Sequence, residues 1–151
     1  MLNRYFLLAA FCAVSASVGI AQTPATPPAE RKLIELITRE QRNNVKKSTG
    51  TFDYQCFTDA NLATFKSSNR PQKIVETLKA DSRFKALVEE FRAMPEAARK
   101  DAFNHARKVC QPSWAEMGYI DKEGNGQTEA GQQAQLMVAA AIVDAIQNML
   151  K

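Results

Sequence analysis

From residue 29 onward the apolar positions recur at helical spacing. Leu33, Ile34, Leu36, Ile37 and Val45 lie among charges between Ala29 and Lys47, and Pro28 suits a first turn, where its missing N–H would have no partner anyway. Thr49-Gly50 supplies a stop. The pattern predicts a first helix that is apolar early and basic late. Between Thr51 and Lys66 two patterns compete: Phe52, Tyr54, Cys56 and Phe57 alternate as a strand would, while Phe57, Ala60 or Asn61, and Ala63 to Phe65 continue a helix. A helix broken near Thr58 is favoured. Ser67-Ser68-Asn69-Arg70-Pro71 then reads as a loop that caps a helix from Pro71 to Ala80, with Ile74, Val75 and Leu78 on one face.

The clearest amphipathic segment begins at Asp81-Ser82. Phe84, Leu87, Val88 and Phe91 follow the i, i+3, i+4, i+7 pattern until Met94-Pro95 interrupts it. Pro95 opens another helix, on which Ala98, Ala102, Ala106 and Val109 form a slim stripe flanked by Phe103 and Cys110. Ser113-Trp114-Ala115-Glu116 has capping-box spacing and predicts a short helix carrying Trp114 and Met117, followed by Gly118 and a turn-rich loop. Thr128 to Leu150 is helical and unusually apolar, since Asp144 is the only polar residue from Leu136 to Ile146. Such a helix belongs at the centre of a bundle or at a dimer seam, and its apolar part is too short to span a membrane. The fold expected is all-α, a compact bundle of about five to seven helices with that C-terminal helix at its centre or at a dimer seam.

Composition adds the compartment. The 151 residues carry 20 Lys+Arg, 16 Asp+Glu and one His, a formal charge of +4, with 45% apolar residues. That is the make-up of one globular domain. Residues 1–21 read as a secretory signal: Asn3-Arg4-Tyr5 is a short positive start, Phe6 to Ile20 is uncharged, and Gly19-Ile20-Ala21 offers small residues before Gln22. Its run of about 15 apolar residues falls short of the roughly 20 needed to cross a bilayer. Residues 22–28 form a Pro-rich tether and residues 29–151 the domain, placed in the periplasm or secreted. With Cys12 removed alongside the signal, Cys56 and Cys110 remain, and in an oxidising compartment such a pair reads as a disulfide. It would close a loop of about 55 residues, worth roughly 4 kcal/mol on the chain-entropy model.

Catalytic constellations are hard to assemble from these residues. His105 lies five residues from Cys110, so the two point to different sides of one helix, and no Gly-x-Ser-x-Gly elbow, zinc ligand set or Cys-x-x-Cys-His is present. No enzyme activity and no cofactor are therefore expected, and His105 reads as a hydrogen-bonded residue at the edge of an apolar stripe. One loop is similar to the start of an EF-hand: Asp121, Glu123, Asn125 and Gln127 bracket Gly124 and Gly126. Thr128 and Gln132 stand where an apolar anchor and a bidentate Glu belong, so a polar turn is favoured and calcium is the alternative.

Charge is unevenly placed. Arg31 to Lys73 holds nine Lys/Arg against four acids, while Glu116 to Lys151 holds two against five. Arg39, Arg42 and Lys46, spaced by three and four, with Lys47 beside them, form a candidate partner-binding face on the first helix. Export and the absence of interleaved aromatics argue against nucleic acid. Ile37-Thr38-Arg39-Glu40-Gln41-Arg42 is similar to the Leu-Thr-x-x-Gln signature of Spy-type periplasmic helical chaperones, which would imply a basic, cradle-like dimer. The match covers six residues, occurs once and begins with Ile, and the family is not assigned on it. The function expected is binding of another macromolecule, as an inhibitor, an immunity protein or an envelope chaperone would do, with a homodimer through the C-terminal helix as one arrangement. The alternative is a small-ligand or calcium-binding module using the Asp121 loop.

Overall fold

Pro28 opens the first helix, α1 (Pro28–Gln41), with Glu30 in its first turn and Arg39 in its last, each at the helix end that favours its charge. The computed structural model describes residues 26–46, 57–111 and 128–151. Leu33, Ile37, Gln41 and Val45 are all buried at four-residue intervals. Four exceeds the 3.6 residues of an α-turn, so this stripe would drift away from the core along a regular helix. The chain instead widens into a π-helical segment, Arg42–Lys46, and Val45 stays fully buried. The single helix expected as far as Lys47 thus changes type at Arg42.

α2 (Asp59–Ser67) begins at the expected break, where Thr58 and Asn61 form a reciprocal cap. Thr58 Oγ1 accepts from the Asn61 N–H at 3.2 Å, and Asn61 Oδ1 accepts from the Thr58 N–H at 2.9 Å. The following loop is shorter than its sequence implies. Only Ser68 and Asn69 separate α2 from α3 (Arg70–Ala80), because Asn69 takes a left-handed conformation, φ 52°, that its short polar side chain tolerates. Asp81 ends α3 and caps α4 (Ser82–Arg92), accepting from the Arg83 N–H at 2.8 Å. Pro95 precedes α5 (Glu96–Val109), and Thr128 caps α6 (Glu129–Met149) by accepting from the Gly131 N–H at 3.0 Å. The described residues form an all-helical bundle with no strand.

Phe84, Leu87, Val88 and Phe91 bury the predicted face of α4, and Phe91 packs on Phe103 of α5 with ring centroids 4.7 Å apart. On α5 the buried face runs through Ala102, Phe103, Ala106 and Cys110, while Val109 is 50% exposed. The stripe read from the sequence had Val109 inside and Phe103 at its edge. Turning the helix to bury Phe103 removes more apolar area from water and gains the ring contact with Phe91. α6 packs against α1, α2, α3 and α5 through residues that include Ala134, Val138, Ile142 and Ile146. Near its start, a Cβ on Gly131 would meet the capping oxygen Thr128 Oγ1 at 3.3 Å and Cβ of Phe57 at 3.4 Å, and the Phe57 carbonyl accepts a bond from the Thr128 hydroxyl.

Gln41 joins three helices. Its side chain is buried, and Nε2 donates to the carbonyl oxygens of Cys110, at 2.9 Å, and Gln135, at 3.0 Å. The Cys110 carbonyl lies at the end of α5, where intrahelical donors run out. Gln41→Leu is therefore expected to destabilise the fold by about 1–3 kcal/mol, the cost of leaving a buried acceptor unmatched. Urea denaturation checks it, and an unchanged midpoint would show that the amide is dispensable.

The signal at residues 1–21, residues 22–25 of the tether, Lys47, Cys56, the Ser113 segment and Asp121, Glu123, Asn125 and Gln127 lie outside the described residues.

Candidate functional site

Two grooves share a wall on α1. One, of about 470 Å³, runs between α1 and α4 over Leu36, Phe84 and Leu87, and the Lys32–Glu90 ion pair, 2.5 Å, crosses from one helix to the other. The second, of about 370 Å³, lies between α1 and α3 and is lined by Arg39, Glu40 and Asn44 on one side and Arg70, Lys73 and Thr77 on the other. Leu78 and Asp81 line both, and Arg39 stands between them.

The walls of the second groove are tied by a chain of polar contacts. Arg39 Nε donates to Glu40 Oε1 at 3.0 Å. Asn44 Nδ2 donates to the Glu40 backbone carbonyl at 2.8 Å and to Glu40 Oε2 at 3.3 Å, and Asn44 Oδ1 accepts from Arg70 Nε at 3.0 Å and Nη2 at 2.7 Å. Asn44 belongs to the π segment, so the widened turn that keeps Val45 in the core also carries the residue that reaches α3. Asn44 spends no charge on Arg70, which keeps its full positive field. Lys73 has no side-chain hydrogen bond or ion pair among the described residues. Asp81 is held below its usual carboxylate range, first by the Arg83 backbone N–H, then by the Arg83 side chain, with a smaller contribution from the charge on Arg39.

Of the residues singled out by sequence, Arg39 is on the shared wall and half exposed, whereas Arg42 is exposed and lines neither groove. Lys46 ends the π segment. Arg70 and Lys73 were missed because Arg70 reads as loop. Their i, i+3 spacing beside Pro71 was the available signal, since it puts both on one side of a helix that starts one residue earlier than expected.

His105 Nδ1 pairs with the buried carboxylate of Glu30, which accounts for its place at the edge of the apolar face. Cys110 is a buried thiol with Sγ 4.0 Å from Thr38 Oγ1 and 3.9 Å from the Ile34 carbonyl. Burial pushes its pKa up against a smaller opposing effect of the Thr38 contact, which suits packing rather than nucleophilic attack. His105 and Cys110 thus have separate partners. Among the described residues no three His, Cys, Asp or Glu side chains are grouped to hold a metal, and no helix is long and apolar enough to cross a membrane. Comparison with protein-family models, with curated proteins and with solved structures finds no significant match.

Proposed function

We propose that the chain is an exported helical protein, periplasmic or secreted, that acts by binding an acidic protein partner in the manner of an inhibitor, an immunity protein or an envelope chaperone. The observation that carries this is the position of Arg39, half exposed on the wall shared by two open grooves, with Arg42 exposed three residues on, at the start of the π segment. Exposed cations of this kind raise encounter rates with an acidic surface and make them salt-sensitive, with screening over roughly 10 Å at 0.1 M salt. The packing of α6 against α1, α2, α3 and α5 supports a place for this helix at the centre of the bundle rather than at a dimer seam. A Cys56–Cys110 bridge, which would take the place of the free Cys110 thiol described above, belongs to the same proposal, because an oxidising compartment favours it.

The partner is to be recovered by pull-down from the native envelope, where an inhibitor retains one enzyme and a chaperone many clients. Arg39→Glu with Arg42→Glu is then expected to slow association at least tenfold and flatten its salt dependence, as measured by stopped flow. Stability should change by only about 0.5 kcal/mol per exposed site. Unchanged association with that partner would remove the basic face from consideration.

A further inference from the structure

We propose that the groove between α1 and α3 seats a short acidic peptide segment of the protein partner, its carboxylates held by Lys73, Arg39 and Arg70. This rests on the reading above that the partner is an acidic protein. Three cations converge on one groove from two helices, and each is held or left free in a way that keeps a donor available. The Arg70 fork is oriented by a neutral oxygen, Asn44 Oδ1, through Nε and Nη2, which leaves its Nη1 group unused by that contact. Lys73 lacks a side-chain partner among the described residues. Arg39 reaches Glu40 Oε1 through both Nε and Nη2 at 3.0 Å, a surface pair that offsets part of its charge and leaves Nη1 unused by that contact.

The lining also selects the kind of anion. Glu40 and Asp81 lie among the cations and pair with Arg39 and Arg83, so the lining keeps only a modest positive excess, too little to match the dense charge of a polyphosphate backbone. Single carboxylates separated by uncharged residues can instead sit beside one cation each. Ile74 and Leu78 provide an aliphatic floor for the intervening side chains, and among the described residues no aromatic side chain lines the groove to stack a base. At about 370 Å³ the groove has the size of a ligand pocket and suits a few residues of extended chain.

The test is an NMR titration of the full chain with the hexapeptide Glu-Leu-Glu-Ala-Glu-Leu, its Gln-for-Glu counterpart and a dT12 oligonucleotide as probes. The acidic peptide is expected to shift the amides of residues 39–44 and 70–77 and to bind at least tenfold more tightly than its neutral counterpart. Lys73→Glu should weaken it at least tenfold, whereas Lys108→Glu on α5, an equal change in charge away from the groove, should weaken it less than threefold. Equal losses from the two variants would show that net charge alone is felt and would overturn the proposal, as would an absence of shifts or tighter binding by dT12. The two readings also separate. If Arg39→Glu with Arg42→Glu slows the recovered partner while Lys73→Glu changes nothing, the groove is excluded and the basic face stands. If neither variant has an effect, both fall.

Discussion

Phe91→Ala is expected to cost about 3–5 kcal/mol, the range for truncating a fully buried aromatic. Phe91 has no exposed surface, and its ring leans on Phe103 at 4.7 Å between centroids, with an interplanar angle of 37°. Removing it takes away the transfer energy of the ring, opens a cavity between α4 and α5, and strands Phe103 without its partner. A domain of this size is held by about 5–15 kcal/mol in all, so the loss consumes a large fraction of it. Denaturant titration reads the effect as a lower midpoint with unchanged slope. A loss below about 1 kcal/mol would mean that α4 and α5 collapse onto the vacated space, contrary to the tight packing of protein interiors.

Cys56→Ser is expected to lower the stability of protein made in an oxidising compartment by about 2–5 kcal/mol through loss of the proposed bridge, although Ser fills nearly the same space. Cys110 alone cannot report this cleanly. It is buried against Thr38 and the Ile34 carbonyl, so Cys110→Ser also changes a packed site. The diagnostic is the double variant: with a bridge present, either single substitution removes it, and the second then adds only the local cost at position 110. Mass spectrometry of the non-reduced protein should show Cys56 joined to Cys110, two hydrogen atoms lighter than the reduced form. Two titratable thiols in such a preparation would overturn the bridge.

Local periodicity and capping chemistry determined most of the helical elements. The spacing of Phe84, Leu87, Val88 and Phe91 identified α4 and its buried face, Thr58 marked the start of α2, and Thr128 that of α6. These signals act over three or four residues, so a single stretch of sequence contains them. Tertiary packing decided the remainder. The four-residue interval from Gln41 to Val45 is visible in the sequence, but it becomes a π segment only because α6 and its neighbours require Val45 inside. Whether Phe103 or Val109 turns inward on α5 depends on Phe91 of another helix. The basic residues of α1 could be read as a charged face, yet their association with Arg70 and Lys73 needed the side-by-side packing of α1 and α3 and the reach of Asn44. Arg39 and Arg70 are distant in sequence, and no short-range pattern encodes which helices become neighbours; that choice belongs to the burial of apolar surface over the whole chain.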